Sequence, residues 1–284
     1  MQSPERRPRL RRTIRNGTTL GVVGLVAAVV LPSCASGLFF RPTEVAYCTP
    51  ATAGATVEDV WFRSADGTRL HGWWLAADGE PRGAVVFCHG NNRNLTHHVR
   101  YARWMCEHGF AVLLFDYRGY GQSEGSPSRS GCIDDTCAAI DLALEREPER
   151  TVVFGHSLGG AFGVVATERR PAVRAVVAES TFASFQDVAC YHADWLSFVV
   201  PLLISARDDP GNVVARIAPR PVFVIHGARD NIVPLEHGLA LYDLAAEPKR
   251  LHVAEGSAHR TPWTDEGDTF ERMIVGFFDD AIAP

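Results

Sequence analysis

The chain has 284 residues, 46% of them hydrophobic, and carries 28 Lys and Arg against 33 Asp and Glu for a net charge of −5. That size and apolar share suffice for one sizeable α/β domain with a leader in front of it. A charge of that sign and size argues against a nucleic-acid partner.

The basic residues are unevenly spread. Arg6, Arg7, Arg9, Arg11, Arg12 and Arg15 crowd the start of the chain, and Leu20 to Leu31 is an uncharged apolar run. A positive segment followed by a short apolar one describes an export signal, expected over residues 1–34. Leu31-Pro32-Ser33-Cys34-Ala35-Ser36 resembles a bacterial lipobox, which would make Cys34 the lipidated first residue of a mature lipoprotein. The other reading is an uncleaved anchor, since Leu20 to Phe40 is about the ~20 residues that span a bilayer. Either way a membrane is an expected partner, and the rest of the chain would face the extracytoplasmic side. With Cys34 set aside, six cysteines remain, and Cys48 and Cys190 are the two free enough to meet.

Residues 35–56 read as a linker, and the domain is expected over 57–284. Val57 to Phe62 and Thr68 to Leu75 flank Asp66-Gly67, the pattern of an antiparallel hairpin. Strands around Ala84, Ala111, Val152, Val173, Val222 and Leu251 then alternate with helical stretches near 97–107, 132–146, 158–169, 235–246 and 269–281. Such alternation predicts an α/β fold with a doubly wound, mostly parallel sheet. One insertion, about 181–219, offers no strand. It is a partly apolar excursion expected to form a short helical cap, and Trp195, Phe198, Leu202 and Leu203 would line an acyl pocket, pack the cap on the core, or dip into a bilayer.

The chemistry gathers on loops that follow strands. Gly155-His156-Ser157-Leu158-Gly159 comes directly after the apolar run Thr151-Val152-Val153-Phe154 and before the small-residue segment Gly160 to Ala166. A G-x-S-x-G between strand and helix is a nucleophile elbow, which exposes Ser157 Oγ above the sheet. A serine nucleophile needs a base and an orienting acid. Asp230 follows the buried-strand run Pro221 to His226, and His259 ends the loop after Arg250 to Ala254. His252 and His226 lie within strands and read as packed histidines, while Glu179, after the strand Ala175 to Ala178, is the rival acid. Upstream, Gly83 to Cys88 runs into His89-Gly90-Asn91-Asn92. This loop would give the Asn91 amide to an oxyanion, with the Leu158 amide as the second donor. His89 reads as a brace for its turn, and the loop Asp116 to Gly121 as scaffolding. His97 and His98 are adjacent and point to different faces, so no metal site is expected.

Taken together, His89-Gly90-Asn91, Phe115-Asp116-Tyr117-Arg118-Gly119-Tyr120-Gly121, Gly155 to Gly160, His226-Gly227-Ala228-Arg229-Asp230 and Gly256-Ser257-Ala258-His259 resemble the α/β-hydrolases of the serine type. Within that superfamily they are similar to the small, membrane-associated lysophospholipase-like branch, over about Val57 to Phe278. The resemblance implies a hydrolase of carboxylic esters, with a small-molecule or lipid ester as substrate and no cofactor or metal. An acyltransferase or a serine aminopeptidase-like peptidase would use the same residues. A catalytically idle scaffold acting as a binding domain is the non-enzyme alternative.

Overall fold

The computed structural model describes residues 39–283. Eight strands form one sheet: β1 (Val57–Arg63), β2 (Arg69–Leu75), β3 (Gly83–Cys88), β4 (Phe110–Phe115), β5 (Thr151–His156), β6 (Val176–Glu179), β7 (Val222–Gly227) and β8 (Lys249–Ala254). Their spatial order is β8-β7-β6-β5-β3-β4-β2-β1. Pairs from β4 through β3 to β8 are parallel, and only β2 runs against its neighbours β1 and β4. The opening hairpin closes at Asp66-Gly67, where the Asp66 side chain accepts from the Thr68 amide and Gly67 takes a φ of 87°.

Residue type accounts for this layering. Strands β3, β4, β5, β6 and β7 are buried at every position and read as unbroken apolar runs, as parallel strands covered on both faces must. Successive side chains leave a strand on opposite faces. Val86 and Cys88 accordingly join Phe162, Ile133 and Ile140 on one side, while Val85 and Phe87 join Val99, Phe270 and Phe277 on the other. The first core is covered by α3 (Arg129–Arg146) and α4 (Leu158–Arg169). The second is covered by α1 (Leu95–Ala102), a single turn α2 (Trp104–Glu107) and the C-terminal helix.

After β6 the chain makes the cap: α5 (Phe185–Ala193), a 3-10 stretch Asp194–Val199, the turn α6 (Val200–Leu203) and two further 3-10 turns ending at Ile217. The sheet then resumes with β7, α7 (Leu235–Leu244), β8, α8 (Pro262–Glu266) and α9 (Asp268–Ile282).

The stretch read as a linker is, where described, docked on the domain. Phe40 is buried and stacks on Phe162 with ring centroids 6.4 Å apart, and Phe39 meets Phe185 edge-on at 5.5 Å. Arg41–Pro42 pair in parallel with Asn92–Arg93. Two adjacent aromatics are enough to pull this segment into the apolar cleft between α4 and the cap. Cys34 and the proposed leader, 1–34, lie outside the described residues. The six described cysteines are all free: Cys48 turns to the Thr96 carbonyl and Cys190 to that of Ser197.

Candidate active site

Ser157 caps α4 at φ 55° and ψ −123°, a backbone region that a non-glycine residue enters only under constraint. The constraint is close packing of strand on helix. A Cβ on Gly159 would stand 2.1 Å from the Cys88 carbonyl oxygen, and one on Gly155 would stand 2.5 Å from that of Gly159. Helix α4 can therefore approach β3 and β5, and its first residue is held at the carboxyl ends of both strands.

His259 Nε2 lies 2.9 Å from Ser157 Oγ, and His259 Nδ1 lies 2.7 Å from Asp230 Oδ2. All three residues are buried. Asp230 Oδ1 accepts from the Ile232 and Val233 amides, each at 2.9 Å, which fixes the carboxylate's orientation. Burial raises the affinity of this carboxyl for a proton. The hydrogen bonds from His226 and His259, the His259 charge and the Val233 amide outweigh it and hold Asp230 well below the usual carboxylate range. An ionised acid at Nδ1 leaves Nε2 as the nitrogen that can accept the serine proton.

The other histidines are occupied elsewhere. His226 Nε2 donates to the Val233 carbonyl at 2.8 Å and stands 3.4 Å from Asp230 Oδ2, and its ring is packed beneath Gly238 of α7. His252 pairs with Glu266 at 2.7 Å on the edge strand. Glu179 is engaged by other partners: it accepts from Tyr101 OH and lies 2.9 Å from His156 Nδ1.

Leu158 is the first residue of α4, so its amide has no partner four residues back and adds to the positive end of a 12-residue helix. Asn91 lies on the loop after β3, where a Cβ added to the preceding Gly90 would stand 3.5 Å from Ser157 Cβ. Two tyrosines hold that loop. Tyr117 OH donates to the His89 carbonyl at 3.0 Å and Tyr120 OH to the Asn91 carbonyl at 2.8 Å. Their own loop is anchored by Arg118, which bonds Asp135 and Asp66. His89 turns Nδ1 to the Gly90 carbonyl at 2.7 Å, in keeping with a bracing part.

Comparison with known proteins adds the lineage. A family model described as serine aminopeptidase, S33, matches residues 79–207. The uncharacterized protein YfhR of Escherichia coli K12 is 34% identical over 265 residues, covering 90% of this chain and 91% of that one. The α/β hydrolase domain-containing protein WAV2 of Arabidopsis thaliana is 34% identical over 250 residues, 81% of each chain. This chain belongs to the α/β-hydrolase family. The sheet agrees: an esterase of Pyrococcus furiosus superposes with a TM-score of 0.71 at 22% identity, over 86% of this chain and 100% of that one, a likeness of fold.

As an α/β-hydrolase the protein carries its cap where expected, but not with the expected lining. Trp195, Phe198 and Leu202 are 74%, 71% and 77% exposed, and Leu203 is half-buried against the core. The inward positions of this segment are taken instead by Val200 and Ile204, which leaves the three large side chains on the outer surface. The cap also reaches the acid's loop, because His192 Nε2 donates to the Ile232 carbonyl at 2.8 Å.

The Tyr101, Glu179 and His156 cluster is the part of this α/β-hydrolase site that sequence reasoning did not assemble. Burial pushes the Glu179 carboxyl up to about 7 and holds His156 neutral, far below its ordinary range. The His156 ring lies 5.2 Å from that of His259, so this cluster forms a wall behind His259. The only hint in the sequence is that His156 occupies the variable position of the G-x-S-x-G. Among the described residues, no group of three His, Cys, Asp or Glu could hold a metal ion.

Proposed function

We propose that this protein is a serine hydrolase that cleaves carboxylic esters through an acyl-enzyme. The observation that carries the reading is the continuous hydrogen-bonded chain from Ser157 Oγ through both nitrogens of His259 to an ionised Asp230.

Each part has a task. Ser157 Oγ attacks the ester carbonyl carbon while His259 Nε2 takes its proton, and the resulting imidazolium is stabilised by Asp230. The carbonyl oxygen becomes an oxyanion and receives the Leu158 and Asn91 amides. As the tetrahedral intermediate collapses, the bond to the alcohol oxygen breaks and the alcohol leaves with the proton from His259. Water then enters, gives a proton to His259, attacks the acyl carbon and releases the acid with Ser157 restored. An acyltransferase would differ only in replacing that water by another alcohol.

The ester reading is preferred to an aminopeptidase because a substrate amine needs a free acidic group. Of the four cap aspartates, Asp208 pairs with Arg169 and Asp209 is buried beneath the Phe185 amide and near Arg129. Asp187 and Asp194 are exposed on different elements. The substrate in this account is a small-molecule or lipid ester. The arginine-rich start and the Leu20–Leu31 run support attachment to a membrane on its extracytoplasmic side, through lipidated Cys34 or a spanning helix. The test is turnover of nitrophenyl esters beside aminoacyl nitroanilides. Ester cleavage that is lost in Ser157→Ala is expected, whereas preferential cleavage of the anilides would make the protein a peptidase.

A further inference from the structure

The cap segment Trp195 to Ser205 contains no charged residue. Its two sides differ: Val200 and Ile204 are buried and Leu203 packs on the core, while Trp195, Phe198 and Leu202 stand in water. Tyr191, 52% exposed, and Ile232, 48% exposed, lie beside it, tied to the cap through the His192 to Ile232 hydrogen bond. Single exposed apolar residues are ordinary, but five large ones gathered around one insertion are not. Tryptophan with phenylalanine and leucine on one face of a short helical segment is the make-up of an element that lies in the headgroup layer of a bilayer.

The chain itself says which surface would meet this face. The 38 residues before Phe39 carry six arginines between Arg6 and Arg15 and continue with the uncharged run Leu20 to Leu31. Phe39 rests on Phe185, the first residue of α5. The neighbouring Gln186 bonds the Ile204 carbonyl at 2.5 Å, two residues from Leu202. At Phe39 the described chain therefore lies near the Leu202 end of the exposed face, so a membrane holding the preceding apolar run would lie against the cap.

We infer that Trp195, Phe198 and Leu202 form a membrane-docking face, which seats the cap in a phospholipid bilayer beside Phe39. The side chains expected to line a pocket thus contact lipid instead. Because the same cap touches the Asp230 loop, docking sets the mouth of the site at the lipid surface, where an acyl ester could enter from the bilayer. That last step rests on the ester-hydrolase reading, whereas docking does not.

The experiment uses the full chain with phosphatidylcholine vesicles, either plain or brominated along the acyl chains. Bromine quenches tryptophan at contact, so the difference between wild type and Trp195→Phe isolates Trp195 among the six tryptophans. The expected result is that most of the bromolipid quenching seen in the wild type disappears in Trp195→Phe. It should fall about tenfold in the double variant Phe198→Asp, Leu202→Asp, even while that protein still floats with vesicles through its leader. Thermal unfolding within a few degrees of wild type checks that the variants are folded. Equal quenching in wild type and Trp195→Phe, or undiminished quenching in the aspartate variant, overturns the inference. So does a concentration-dependent dimer that buries Trp195 without lipid, since a second copy would then own the face. Failure of the wild type to cleave soluble nitrophenyl esters would instead overturn the hydrolase reading and leave the docking result standing.

Discussion

His156 Nδ1 lies 2.9 Å from Glu179 Oε2, and this buried contact separates the two carboxylates that compete for His259. Glu179 is further engaged by Tyr101 OH, whereas Asp230 places Oδ2 against His259 Nδ1. His259 thus stands between a buried Tyr, Glu and His wall, whose carboxyl keeps its proton up to about pH 7, and an aspartate held ionised. Two acids near one histidine have been shifted in opposite directions by their surroundings, Glu179 upward and Asp230 downward.

The first prediction follows from that division. Asp230→Asn should lower kcat for a nitrophenyl ester by about 10⁴-fold, because His259 would lose both its orientation and its counter-charge. Glu179→Gln, which keeps the size and one hydrogen-bond partner, should cost far less. The reverse ranking in steady-state kinetics would make Glu179 the acid.

The second concerns stability. Glu179 has a folded pKa of about 7 against an ordinary 4.5, so the native state holds a proton that the unfolded chain has lost between those values. A raised carboxyl pKa contributes stability below about 4.5, and that contribution is lost as pH rises toward 7, with a limiting slope of about 1.4 kcal/mol per pH unit. Denaturant unfolding at pH 5 and pH 7 should therefore show wild type losing stability relative to Glu179→Gln as pH increases. A gap that stays constant or moves the other way would contradict the buried neutral carboxyl.

Much of this arrangement is legible in the amino-acid sequence. Runs such as Val85-Val86-Phe87 and Val222-Phe223-Val224-Ile225 mark buried parallel strands, and Ser157, Asp230 and His259 each sit on the loop that follows one. The structure brings those three side chains together. What could not be read was which side of a segment faces the core. The apolar content of Trp195 to Ile204 is equally compatible with a lined pocket and a bare surface, and only the packing of Val200 and Ile204 decides between them. The Tyr101, Glu179 and His156 cluster was hidden for another reason: its members come from α1, β6 and β5, and no spacing in the chain encodes their meeting. Phe39 and Phe40 likewise fall in a linker-like stretch of sequence because their partners, Phe185 and Phe162, are more than 100 residues away.

A third prediction tests the brace on the loop after β3. Tyr120→Phe removes the hydroxyl that holds the Asn91 carbonyl and should loosen the neighbouring amide. Losing an oxyanion donor outright costs roughly 10²-fold or more in kcat, so loosening one should cost on the order of tenfold, with KM nearly unchanged. A change confined to KM would place Tyr120 in substrate binding instead.

The fourth concerns the elbow. Gly159→Ala would drive a methyl group to 2.1 Å from the Cys88 carbonyl, and neither backbone can retreat without parting α4 from β3. A loss of about 2 kcal/mol or more is expected, seen as a fall of roughly 5 °C or more in Tm together with loss of turnover. Gly256→Ala on the loop before His259, where a Cβ meets nothing within 4 Å, is the matched control and should leave Tm nearly unchanged. Equal Tm values for the two variants would remove close packing as the reason for the strained serine.

The most direct test of the central claim is covalent. A fluorophosphonate probe should add to the full-length protein at one site, located by mass spectrometry on the peptide containing Ser157. Labelling should vanish in Ser157→Ala and slow by orders of magnitude in His259→Ala. Labelling that persists in Ser157→Ala, or that falls on another residue, would contradict Ser157 as the nucleophile.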